Sequence, residues 1–256
     1  MLRALSQDPR ESDPVVVLGM HRSGTSFLIR ALNLAGLWLG DHAHLATIEG
    51  RAMSGNPKGN YEHREAIAIN DALLKRSGGA WFNPPLQILG GAADEERMRA
   101  FCATLQATRP DDHPRCGWKD PRSVLTLDFW RRALPLFAVA AFRHPTAVAR
   151  SLQARDKVPL AAGYALWAHY NRLLLRHLDR LPHALVRFDV AAPELIGRTQ
   201  QVCEAIGLRT DPGVIASWHD AALVRSTADG AELARAPEVA KLGNELLERY
   251  RAQVPA

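Results

Sequence analysis

The sequence predicts an α/β fold in which a central parallel sheet is flanked by helices on both faces. Three observations predict it. Val15–Leu18, Leu136–Phe142 and Ala184–Phe188 are short, continuous apolar runs, the pattern of strands covered on both sides. Each run is followed by a helical pattern rather than a tight turn, so successive strands point the same way. The first run also feeds straight into a glycine-bearing loop, GMHRSGTS at Gly19–Ser26, at the strand end where parallel sheets take their ligands.

Asp13-Pro14 bounds the first strand. From Thr25 onward Phe27, Leu28, Ala31, Leu32, Leu34 and Ala35 recur at helical spacing, and Gly36 supplies a stop. Residues 37–59 read as irregular, rich in His, Gly and Asn. Tyr61–Leu74 resumes the helical pattern through Ala66, Ile67, Ile69, Ala72 and Leu73, and the glycines and prolines of 76–91 make that stretch a surface loop. A helix at Asp94–Thr108 precedes turn-rich residues and CGWKDPR. Ser123–Leu134 reads as a helix leading to the second strand. Helices at Pro145–Asp156 and Leu160–Leu181 separate that strand from the third, and Pro193–Ile206 and Leu233–Tyr250 complete the helical set. The chain reads as one domain over 1–256, with 1–13 flexible and 209–256 a C-terminal helical extension.

Composition narrows the class. Hydrophobic residues are 47% and charged residues 23% of the chain, which fits a globular protein that buries a core. No apolar run is long enough to span a bilayer, and MLRALSQDPRESDP has acidic residues where an export signal needs an apolar stretch. Cys102, Cys116 and Cys203 lack metal-ligand spacing and read as buried small hydrophobes in a reducing compartment, so a cytoplasmic location is expected. The net charge of +5 steers anions toward the protein. Its arginines are scattered without interleaved aromatics, so no nucleic-acid partner is expected.

GMHRSGTS has the outline of a phosphate-binding loop, but Thr25 stands where a nucleotide triphosphatase carries lysine. The amides of Ser23, Gly24, Thr25 and Ser26, at a helix N-terminus, suit an anion, and Gly19 and Gly24 allow the tight turn. Read alone, the loop is equally a strand-to-helix turn capped by Ser23 or Thr25. Arg22 within it, and a second segment, FRHPTAVARS, favour the anion. There Arg143 ends a strand and Ser151 follows eight residues later.

With HRSGTS and RHPTAVARS in this order, the sequence resembles the sulfotransferases that use 3′-phosphoadenosine 5′-phosphosulfate (PAPS), from about Pro14 to Leu208. The resemblance implies a P-loop-like fold and a loop, His21 to Ser26, that holds the 5′-phosphosulfate with Arg22 as its cation. It also implies a 3′-phosphate site at Arg143 and Ser151. GNYEHREAIAINDALL at Gly59–Leu74 and WKDPR at Trp118–Arg122 resemble segments of the bacterial branch related to the tyrosylprotein sulfotransferases. VRFDV lies where relatives carry R-Y-E-D-L. Phe188 is thereby implied at the nucleotide, although Phe188 and Asp189 depart from the Tyr-Glu pair.

Sulfuryl transfer needs positioning, a positive field and a base, and the modest charge of the sulfuryl group leaves no obligatory role for a metal. Arg22 is expected at the leaving oxygen and Lys119 at the sulfuryl oxygens; without the resemblance, Lys119 reads as pairing with Asp120 at a strand end. Glu62, opening the helix after Gly59, is the expected base, with His63 as the other choice. Asp120 and Arg122 are expected to fix Lys119, and Trp167 and Tyr170 to lie in the core. His42 and His44 form too small a set for a metal. The expected acceptor is a hydroxyl on a glycan or surface-polymer precursor, with a tyrosine or a small molecule as alternatives. A small-molecule kinase lacks its GK[ST] lysine here. A silent nucleotide-binding module would have no use for Glu62.

Overall fold

The computed structural model describes residues 10, 13–46, 58–209, 211–219 and 236–254. Most of the flexible tail expected over 1–13, the middle of the irregular stretch and the first residues of the expected last helix lie outside the described residues. The strands are β1 (Val15–Leu18), β2 (Leu37–Trp38), β3 (Arg115–Lys119), β4 (Phe137–Phe142) and β5 (His183–Arg187). They form a five-stranded sheet in the order β2-β3-β1-β4-β5, with every pairing parallel.

The helices are α1 (Thr25–Leu34), α2 (Arg64–Arg76), α3 (Ala92–Ala107), α4 (Ser123–Ala133), α5 (Pro145–Asp156), α6 (Leu160–Leu178), α7 (Ala192–Ala205), α8 (Pro212–Trp218) and α9 (Pro237–Gln253). Strand alternation divides them between two layers. Val15, Val17, Phe137 and Val139 pack with residues of α1, α7 and α8; Val16, Leu18, Ala138 and Ala140 pack with residues of α2 to α6 and α9. Both faces of the sheet are therefore dry, and no described helix is long and apolar enough to cross a membrane.

Three elements differ from the sequence expectation or add to it. Arg115–Lys119, where the local pattern marks only a strand end at Lys119, is a full strand through parallel pairing with β1 and β2. Its charged ends and central glycine hide it. Arg115 is buried with its guanidinium donating to the carbonyls of Ile206, Arg10 and Asp13. Gly117 lies so close to β1 that a Cβ there would stand 2.3 Å from the Val15 carbonyl oxygen. Leu37–Trp38, expected to be irregular, is a short edge strand on β3.

The third departure concerns Glu62. It does not open the helix. Tyr61 has φ 55°, and His63 is an extended N-cap at φ −74°, ψ 128°, so α2 begins at Arg64. The Glu62 carbonyl instead accepts from Ala46 N at 2.8 Å beside an antiparallel bridge between Leu45 and His63. In this way Glu62 is presented from a short extended segment pinned on both sides. In the C-terminal region the described residues form α8 and α9.

Candidate active site

The strand order reverses direction about β1, and the crevice beyond its carboxyl end is occupied by the Gly19–Ser26 loop. Gly19 at φ 144° has its Cα beside the Ala141 carbonyl, where a Cβ would come within 2.4 Å. Arg22 takes a left-handed conformation at φ 69°, and Gly24 at φ 87° begins α1. The first turn of α1 has no side-chain cap and no acidic residue, so its N-terminal positive potential is not offset locally. A Cβ at residue 24 would meet the Phe188 ring at 2.1 Å, so this glycine lets the ring close directly over the loop.

The two distant motifs meet here. Arg22 Nε donates to Ser151 Oγ at 2.8 Å, and Arg143 Nη1 donates to the Arg22 carbonyl at 3.3 Å. The Arg143 carbonyl accepts from Trp167 Nε1 at 3.0 Å, and its guanidinium stands 5.7 Å from the Phe188 ring centre. Arg143 is only 4% exposed, and burial pulls its pKa down.

On the other side of the loop lies a buried ion pair. Lys119 Nζ donates to Glu62 Oε1 at 2.8 Å and also reaches Ser26 Oγ at 3.3 Å and the Asn60 carbonyl at 3.4 Å. Lys119 thus pairs with Glu62, not with its neighbour Asp120. Asp120 is fully buried, held by Asn70 and Arg122; desolvation raises its pKa to about 6, against the pull of the Arg122 charge.

A cavity of about 320 Å³ joins these groups. His21, Arg22, Gly24, Thr25, Ser26, Glu62, Lys119, Arg143, Ser151 and Phe188 line it, whereas Ser23 is buried behind the loop. The cations Arg22, Lys58, Lys119, Arg143 and Arg155 outnumber Glu62, the one carboxylate in the described lining. Such a surplus in a concave, partly dry space favours a polyanion.

The structure places the histidines differently from one another. His21 packs against Trp81, with ring centres 4.3 Å apart, and its Nε2 is buried without a hydrogen-bond partner among the described residues. Burial, reinforced by Arg122, Lys119, Arg155 and Arg22, holds its pKa well below the ordinary range, which favours the neutral ring. His63 is off the cavity lining: its Nδ1 accepts from Glu65 N at 3.2 Å as the cap of α2, and burial with the adjacent His44 pushes it down to about 4. His44 stacks on His63, and His42 lines a separate cavity with Asp41 and His113. No metal-holding group of three or more His, Cys, Asp or Glu residues occurs among the described residues.

Sequence reasoning missed Phe27, Lys58, Asn60, Arg155, Trp218 and His219 in the lining. Asn60 lies within the Gly59–Leu74 segment and Phe27 adjoins the loop, so both were within reach. Trp218 was not, since α8 reaches the cavity by packing on α1 and α7, and Arg30 of α1 stands 5.3 Å from the indole. Trp167 and Tyr170 are fully buried and outside the lining, as core residues.

A sequence model of the sulfotransferase family matches residues 14–212. No curated protein is a significant sequence match. Among solved structures, the sulfotransferase domain from the Synechococcus PCC 7002 olefin synthase superposes with a TM-score of 0.52 at 18% identity, over 94% of this chain and 98% of that one. A sulfotransferase domain from the curacin biosynthetic pathway does so with a TM-score of 0.50 at 17% identity, over 93% and 98% of the two chains. At these identities the structural likeness concerns the fold, which is α/β and P-loop-like; the family assignment comes from the sequence match. With a match spanning both the loop and the Arg143–Ser151 motif, the chain belongs to the sulfotransferase family.

Proposed function

We propose that this protein transfers the sulfuryl group of PAPS to an acceptor hydroxyl, leaving a sulfate ester and adenosine 3′,5′-bisphosphate. The observation that carries the reading is the Arg22–Ser151 contact, which unites the loop and the Arg143 motif in one cation-lined cavity. The residues fit the donor. The uncapped N-terminus of α1 and Arg22 suit the 5′-phosphosulfate, and Arg143 with Ser151 suits the 3′-phosphate. Phe188 offers a ring face beside them. Bound PAPS supplies an activated sulfuryl group on a phosphate oxygen.

The chain's own contribution is positioning, charge and a base. Arg22 and Lys119 place positive charge on opposite sides of the loop, one for the departing oxygen and one for the sulfuryl oxygens. Glu62 receives the acceptor proton. Its carboxylate is held by Lys119, so a ligand that draws Lys119 toward its own negative oxygens frees Glu62 Oε1 to accept from the acceptor hydroxyl. His63 is the weaker choice for this step, since its Nδ1 is engaged as a helix cap. The acceptor we infer is a hydroxyl on a glycan or surface-polymer precursor, on the strength of the Gly59–Leu74 segment that carries Glu62.

The kinase alternative finds less support. Thr25 replaces the lysine, and the strand-end acid available, Asp120, is committed to Asn70 and Arg122. Incubation with radiolabelled PAPS and a panel of glycans, tyrosyl peptides and small phenols tests the proposal. Label transferred to a glycan is expected; label on tyrosine or a phenol would correct the acceptor, and consumption of ATP with no use of PAPS would overturn the reaction.

A further inference from the structure

Asn70 sits in the middle of α2 on its apolar face, beside Ala66, Ile69, Leu73 and Leu74, and is completely buried. An asparagine there is unfavourable both for the helix and for the core unless every polar atom is satisfied. Every one is. Its Nδ2 donates to Asp120 Oδ2 at 2.8 Å and to Ser123 Oγ at 3.0 Å. Its Oδ1 accepts from Thr126 Oγ1 at 2.7 Å and from Trp130 Nε1 at 2.9 Å. Two donors and two acceptor sites are the full capacity of the amide.

The partners form a pattern. Ser123, Thr126 and Trp130 follow one stripe of α4, and Asp120 is the residue after Lys119. The other Asp120 oxygen accepts from Arg122 N at 3.1 Å, and Arg122 Nε forms an ion pair with Asp71 at 3.1 Å. Adjacent residues of α2 are therefore tied to the turn that carries Lys119, one by a hydrogen bond and one by charge, while Glu62 stands just before α2. An apolar side chain at position 70 would also join α2 to α4, but hydrophobic contact is non-directional and tolerates sliding and rotation. A fully bonded amide fixes both.

We propose that Asn70 and Asp120 are positioning residues that register Glu62 against Lys119. The role assigned to that pair rests on the function proposed above; the registration itself is a property of the fold. The amide–carboxylate bond is the coupling, so exchanging its two ends restores it.

The test compares Asn70→Asp, Asp120→Asn and the exchanged double variant in the full chain. Crystal structures follow the Lys119–Glu62 contact, calorimetry follows adenosine 3′,5′-bisphosphate, and hydrolysis of labelled PAPS follows turnover. Asn70→Asp opposes two carboxylates, and Asp120→Asn turns an amide NH2 on the donors of Asn70 or of Arg122, so either single change is expected to break the contact and lower turnover about 100-fold, the scale of a small misplacement. Bisphosphate affinity stays within about twofold, and the double variant recovers most of the turnover, a coupling that independent sites do not show.

The inference is overturned if both single variants keep the contact and the turnover. It is also overturned if affinity, melting temperature and turnover fall together, which is general loosening. Should Asn70→Asp not fold, Asp120→Asn and the double variant carry the comparison. If wild type binds no bisphosphate, the donor reading fails instead, and the crystallographic contact in the variants still decides the registration.

Discussion

The two sides of the cavity are built in different ways. On the side proposed for the donor, Arg22, Arg143, Ser151 and the amides at the start of α1 would share the task, and most belong to contiguous motifs at the ends of β1 and β4. On the side proposed for the acceptor one buried pair, Lys119 and Glu62, joins residues separated by 57 positions, and in the proposed reaction it supplies both a charge and a base. A distributed site loses little when one member is removed. A single pair loses nearly everything, and breaking it also leaves a buried charge without its partner.

Turnover and binding should therefore respond to different substitutions, and the largest effect belongs to the pair. Glu62→Gln is expected to lower the turnover number about 1,000-fold, the range of a lost proton acceptor, with bisphosphate affinity nearly unchanged by calorimetry. Undiminished turnover would break the contrast by moving the base elsewhere. Lys119→Met should reduce turnover about 100-fold by removing an electrostatic stabiliser. It should also lower the melting temperature, because Glu62 is left buried and unpaired.

The donor side should answer more mildly and in binding. Arg143→Ala is expected to weaken adenosine 3′,5′-bisphosphate about 10- to 100-fold, the worth of one or two hydrogen bonds to a charged group. Gly24→Ala puts a Cβ into the Phe188 ring at a left-handed position. It should destabilise the fold by about 1–3 kcal/mol in denaturant titration, with some loss of affinity.

The smallest effect concerns pH. His63 has its pKa lowered from 6.5 to about 4, so the fold binds this proton more weakly than the unfolded chain does. The stability it contributes is present above 6.5 and is lost as pH falls toward about 4. His63→Asn, which keeps an acceptor for the α2 cap, should flatten this part of the stability profile, measured by urea titration at several pH values. An unchanged slope would show that other groups control it.

The same contrast explains what could be read in advance. The loop and the Arg143–Ser151 motif are local: a strand end, glycines and a helix start at fixed spacing, and each declares itself within a dozen residues. β3 declared only its end, at Lys119, because Arg115 and Lys119 are satisfied by partners far along the chain and Gly117 is required by the approach of β1. Glu62 was identifiable as a residue but not as a geometry, since the left-handed Tyr61 and the His63 cap shift the helix start beyond it. Trp218 reaches the lining through α8 packing on α1, for which no short sequence pattern exists.

The central claim is a donor site for a nucleotide phosphorylated at both the 3′ and the 5′ position. Isothermal titration of the protein with adenosine 3′,5′-bisphosphate, AMP and ATP, each with and without Mg²⁺, tests it most directly. The account predicts tight binding of the bisphosphate without metal, about tenfold or more ahead of AMP, which lacks the 3′-phosphate contact of Arg143 and Ser151. Metal-dependent binding of ATP, with no response to the bisphosphate, would contradict it.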